Sequence, residues 1–146
     1  MSWKGSDERS GGVVVNIGIH FFDLLIWLFG PVRQNRVHVR EPHRVAGALD
    51  LARARVRWFL STDPADLPFA AAPGQRMTFR SIEVDGQEVE FSDGFADLHT
   101  EVYRQVLAGN GFGIDDARPS IQLVHDIRHA PVSTSHADLH PLAAAR

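Results

Sequence analysis

The chain has 146 residues, enough for one ordinary domain. With 44% hydrophobic and 23% charged residues and a net charge of −3, it has the make-up of a globular protein and gives no electrostatic case for nucleic acid or an anionic membrane. It has no cysteine, which excludes disulfides, thiolate metal sites and cysteine nucleophiles, and its sole lysine is Lys4.

Met1–Gly12 is polar and glycine-rich and reads as an entry loop with no signal peptide, consistent with a cytoplasmic protein. Ser10–Pro31 (SGGVVVNIGIHFFDLLIWLFGP) then predicts one helix, bounded by Gly11–Gly12 and by Gly30–Pro31. It is too short and too interrupted to span a membrane, which takes about 20 apolar residues. At about 100° per residue, Asn16, His20, Asp23 and Trp27 share one stripe. Nearly everything else from Ile17 to Phe29 is apolar, so the pattern predicts a helix buried almost all round. An amide, an imidazole and a carboxylate in such a helix need partners, either protein groups or a ligand.

Val32–Arg40 alternates as a half-buried strand does, and Val45–Leu60 reads as one or two more strands with Arg53, Arg55 and Arg57 on one face. Ser61–Gly74 holds three prolines and reads as a loop. Arg76–Val84, the turn Asp85–Gly86 and Glu88–Phe91 form a hairpin pattern. Asp97–Ala108 and Ala117–Ala130 are helical, with Pro119 in the first turn of the second. The tail Pro131–Arg146 reads as surface chain or an edge strand. Together these elements predict an α+β domain over 1–146, an open and mostly antiparallel sheet with helices on one face. The other face is expected to be bare, which implies a second subunit across it.

Among chemical groups, His20 stands out, because histidine is the residue type suited to proton transfer near neutrality. Asn16 could hold a substrate hydroxyl and Asp23 could fix the His20 tautomer. The plainer alternative is a core histidine satisfied by Asp23 and a backbone carbonyl. Metal pairs are conceivable at His20/Asp23, His125/His129 and His136/His140, but none has a third ligand at an informative spacing, so no metal is expected. The run GNGFG at 109–113 follows a helix and lacks a βαβ setting, so it reads as a helix–helix loop and not a dinucleotide turn. Arg40, Arg44, Arg53, Arg55 and Arg57 could grip phosphate or carboxylate, or form a solvated strand face.

The glycine pair Gly11–Gly12 followed by Asn16, His20 and Asp23 resembles the motif that opens the C-terminal domain of the Gfo/Idh/MocA family of nicotinamide-dependent sugar oxidoreductases. Val106–Ile127 (VLAGNGFGIDDARPSIQLVHDI) resembles the same family, closest to its branch of UDP-N-acetyl-2-amino-2-deoxyglucuronate dehydrogenases. The resemblance covers essentially the whole chain. It implies oxidation of the 3-hydroxyl of a UDP-sugar acid in lipopolysaccharide or O-antigen synthesis, NAD as cofactor of the full enzyme, and a homo-oligomer joined through the sheet face. It also implies that the family's N-terminal Rossmann domain, with its Glu-Lys-Pro motif, is absent from these residues. The chain alone is then catalytically incomplete and binds no cofactor itself. By the same resemblance His20 is the acid/base, Asn16 holds the sugar hydroxyl or His20, Asp23 orients His20, and Lys4 meets the uronate or diphosphate. A rival reading is a non-catalytic α+β dimerisation or binding module.

Overall fold

The computed structural model describes residues 10–70, 77–94 and 97–144. A π-helical segment, Val14–Gly18, runs into α1 (Ile19–Phe29). Three strands follow, β1 (Val32–Arg40), β2 (Arg44–Leu51) and β3 (Arg55–Ser61), then a 3-10 turn at Pro64–Asp66. After these come β4 (Ser81–Val84), β5 (Gln87–Glu90), α2 (Leu98–Leu107), α3 (Ile114–His129) and a last short helix, α4 (Pro141–Ala144). The class is the α+β one that the sequence pattern implies, with every strand pair antiparallel. The strands do not form one sheet, however: β1-β2-β3 is one and β4-β5 is another. Contacts group the chain into two compact units, the residues up to Asp63 with those from Ile114 on, and Pro64–Gly113.

In the first unit the register sorts side chains by face, because successive residues of a strand point to opposite sides. Gly47 pairs with Trp58 and Leu49 with Val56, and Val45, Gly47, Leu49 and Leu51 share the face that packs against α1 and α3. That side holds the core, with Phe22, Leu49, Ile127 and Val37 its largest fully buried side chains. Gly47 decides how close the layers come. A Cβ there would lie 2.3 Å from the Arg36 carbonyl oxygen and 2.7 Å from the Trp58 ring, so only glycine lets the indole lie flat across β2. Phe22 then meets that indole edge-on, with centroids 5.2 Å apart and planes at 78°, a favoured aromatic geometry. This contact fixes which side of α1 faces inward.

The end of α1 is fixed as well. Gly30 closes the helix at φ 85°, a conformation that favours glycine, and donates its N–H to Ile26 O at 2.8 Å. The β2–β3 turn then grips the helix end: Arg53 donates its backbone N–H to Phe29 O at 3.0 Å and its guanidinium to Leu28 O at 2.6 Å. Arg53 is thus a tie between turn and helix, not part of a solvated strand face. Arg40 is one too, and its Nη2 donates to Ile127 O at 2.5 Å and to Ala130 O at 2.7 Å at the end of α3. A register shift between Val37 and Val39 places Arg40 opposite Val45, which turns it to the helical side. The helix α3 starts at Ile114, a turn before the expected Ala117, so Pro119 lies within it. Asp115 and Asp116 in its first turn suit the positive end of a helix.

The expectation of a bare second face is corrected. Ala46 is fully buried and Ala48 is 4% exposed, although both point away from the helices. The tail meets their strand partners, Arg36 and Phe59. Val132 makes a single parallel bridge to Val37, so the tail adds no full edge strand. It then crosses the far face, where Asp138 pairs with Arg36 at 3.0 Å and His140 stacks on Phe59 at 5.7 Å. Arg44 lies over the same Phe59 ring at 5.5 Å and donates to Leu142 O at 3.4 Å. Over β2 the premise for a second subunit is therefore removed, while Arg55 and Arg57 beside it stay exposed.

In the second unit, Asp85 and Gly86 both have positive φ, 51° and 78°, which is the turn expected for a two-residue hairpin. The first hairpin strand is short, since residues 77–80 are not strand and Arg76 lies outside the described residues. Ser92 closes its base, accepting the Arg80 N–H at 2.8 Å, and is the unit's one buried residue among those described.

Two outcomes test this packing. Gly47→Ala should lower stability by about 1–3 kcal/mol, the usual cost of overpacking, read as a fall in urea midpoint at unchanged m-value. An unchanged midpoint would mean that the strand accommodates the methyl. The second concerns His140, whose pKa is held below the ordinary 6.5, first by burial and then by the nearby Arg57 cation. The unfolded chain takes up this proton as pH falls below about 6.5, before the folded chain does. The contribution is thus complete above that value and is lost as the pH drops through the lowered folded value. Melting curves at pH 7.5 and 5.5 should show a smaller acid loss in His140→Phe, which keeps a ring against Phe59; an equal loss would contradict this.

Candidate functional site

The polar stripe is carried by the two helical segments that the Phe22–Trp58 contact orients. Their inner side is Val14, Gly18, Phe22 and Leu25, all buried. The outer side is not covered: His20 and Asp23 are exposed, Trp27 is 73% exposed and Leu28 39%. The reading of a helix buried almost all round is therefore corrected. A sheet of three strands covers one side of a helix, and the apolar residues opposite it remain on the surface.

Asn16 sits in the π-helical segment, where the Ile19 N–H bonds to Val14 O and the turn is one residue wider than in an α-helix. Such turns are rare and recur at functional sites. A fixed 100° periodicity cannot reveal one. Asn16 is half-buried, and its Nδ2 is buried with no partner among the described residues, a deficit of about 1–3 kcal/mol. Neither His20 nor Asp23 has a hydrogen-bond partner among the described residues, so the expected Asp23–His20 bond is not formed. The structure thus brings Asn16, His20 and Asp23 onto successive turns of one rigid support, with the imidazole and carboxylate open to a ligand. Lys4 lies outside the described residues.

The other candidates separate. Residues 109–113 lie between α2 and α3, with Gly109 at φ 80° ending α2, and no strand leads into them. No strand–glycine turn–helix cradle for a dinucleotide exists among the described residues. No group of three or more His, Cys, Asp or Glu among them is placed to hold a metal ion, and no helix of theirs is long and apolar enough to cross a membrane. An open hollow lies at Arg33, Gln34, Asp50, Leu51, Ala54 and Arg55, and none of the stripe residues lines it. Its arginines are partly spent, because Arg55 already pairs with Asp50 at 3.1 Å.

Comparison with known proteins points the same way as the stripe. A family described as "Oxidoreductase family, C-terminal alpha/beta domain" matches residues 1–142. The chain is similar to the WlbA (WbpB) dehydrogenase of Thermus thermophilus in complex with NAD and UDP-GlcNAcA, with a TM-score of 0.86 and 52% identity over 96% of this chain and 45% of that one. It is equally similar to the same dehydrogenase in complex with NAD and α-ketoglutarate, with a TM-score of 0.86 and 54% identity over 96% of this chain and 46% of that one. The chain therefore spans a little under half the length of these relatives.

Proposed function

Because the chain belongs to the Gfo/Idh/MocA oxidoreductase family, as its C-terminal α/β domain, we propose that it supplies the substrate side of an NAD-dependent dehydrogenase. The substrate is a UDP-N-acetylglucosaminuronic acid-type sugar, oxidised at its 3-hydroxyl. The setting we infer is the cytoplasmic phase of surface polysaccharide synthesis, such as lipopolysaccharide O-antigen. The observation that carries the reading is the exposed His20 on a helix locked from behind, between an unsatisfied amide and an exposed carboxylate. The similarity to a dehydrogenase that binds UDP-GlcNAcA supports the choice of substrate.

Oxidation of a carbinol removes a hydride and a proton, and the residues of this chain bear on the proton. His20 accepts it from the sugar hydroxyl through an unprotonated ring nitrogen; positioned acid–base groups of this kind contribute roughly 10²–10⁴-fold. Asn16 offers an amide to the same hydroxyl or to the ring. Asp23, on the next turn of the same helix, is assigned to orient His20. Lys4, in the entry segment, is assigned to the uronate or diphosphate. No described element of this chain forms a dinucleotide cradle, so NAD, which the relatives hold, is given no residue of this chain.

Calorimetric titration of the 146-residue chain with UDP-N-acetylglucosaminuronic acid, beside His20→Ala and with NADH as a control, tests the proposal. The expected result is sugar-nucleotide binding without NADH binding, weakened several-fold by His20→Ala, as loss of a hydrogen bond worth about 1 kcal/mol implies. Binding that is indifferent to His20→Ala would remove His20 from the site. No binding of either ligand by the folded chain would favour the rival reading of an assembly module.

A further inference from the structure

Two imidazoles stand apart from the stripe and from the far-face tail. His125 and His129 lie one turn apart near the end of α3, both exposed, with ring centroids 4.2 Å apart and planes tilted by 32°. In each ring Nδ1 is engaged from behind. His129 Nδ1 lies 2.7 Å from the His125 carbonyl oxygen, and a carbonyl can only accept, so this nitrogen carries the proton. His125 Nδ1 lies 3.4 Å from Asp126 Oδ1, and an ionised carboxylate likewise only accepts. That carboxylate is itself held by Gln122 Nε2 at 2.8 Å.

A neutral imidazole protonated on Nδ1 presents a bare lone pair on Nε2. Ligand histidines in metal sites are held in this way, with the second ring N–H donated to a carbonyl or carboxylate. We propose that His125 and His129 form a two-nitrogen chelate for a late first-row divalent cation of the Cu²⁺, Ni²⁺ and Zn²⁺ group. Imidazole suits these ions, whereas Mg²⁺ and Ca²⁺ require oxygen donors. No third His, Cys, Asp or Glu joins the pair among the described residues, so water completes the coordination and the site is open. The negative end of α3 adds little, because Arg40 already occupies the carbonyls of Ile127 and Ala130. The two nitrogens carry the affinity.

The other histidine pair in the tail does not share this arrangement. His140 Nδ1 accepts the Leu142 N–H at 3.2 Å, so its proton is on the other nitrogen, and its ring is committed to Phe59. Cu²⁺ is the probe of choice, since it binds nitrogen sites most tightly in its series. The 146-residue chain would be titrated calorimetrically with Cu²⁺, beside His125→Gln and His129→Gln. Both positions are exposed, so circular dichroism should show both variants folded. The expected result is a loss of roughly tenfold or more in Cu²⁺ affinity from either substitution, at or beyond the low end of what lost outer-shell support costs. The nitrogen hyperfine pattern in the electron paramagnetic resonance spectrum should fall from two imidazoles to one. Unchanged affinity in both variants, or no Cu²⁺ uptake by the parent chain, would overturn the proposal.

Discussion

An indole ring lying across a glycine sets what this domain can present. Gly47 leaves room for Trp58 on the inner face of the sheet, and Phe22 meets that ring edge-on. Because Phe22 is wholly buried, α1 has one rotational setting that keeps its core residues covered. His20 and Asp23 are then exposed by necessity, two residues before Phe22 and one after it. The Arg53 guanidinium and the Gly30 turn fix the far end of the same helix, so it can neither roll nor slide without breaking contacts. A rigid support with polar groups on its free side is what a site needs to hold a reacting group in place.

Much of this was legible in the chain. The alternation of Val45–Leu60, the turn at Asp85–Gly86 and the stop at Gly30–Pro31 all follow from local rules that tertiary packing did not override. The motif of Gly11–Gly12, Asn16, His20 and Asp23 marks the family in the chain itself, and the family match and the solved dehydrogenase structures agree. What was not legible is relational. Hydrophobicity along Ile17–Phe29 predicts that residues avoid water, but not that a sheet of three strands leaves one side of the helix uncovered. The π-turn at Val14–Gly18 arises where the helix meets the sheet and has no periodicity to announce it.

The arginines make the same point from the other side. In sequence Arg40, Arg44, Arg53, Arg55 and Arg57 look like one basic face. In the fold they separate: Arg40 holds the end of α3, Arg53 the end of α1, and Arg44 covers Phe59 beneath the tail. Arg55 and Arg57 keep the exposed places on β3 that the pattern suggested. Guanidinium groups suit such ties, since one planar fork can serve two acceptors, as Arg40 does. The tail itself was the least predictable element, because its Ala, Pro and His content does not reveal that it meets Arg36, Arg44 and Phe59 on the far face.

A UDP-sugar acid is proposed to meet this chain on the outer side of α1. Histidine side-chain and backbone ¹H–¹⁵N spectra recorded during addition of UDP-N-acetylglucosaminuronic acid report on that contact. The His20 ring nitrogens and the amides around Asn16 and Asp23 should shift, with the inner positions near Trp58 unmoved. Shifts confined to the hollow at Arg33 and Arg55, with His20 silent, would contradict it.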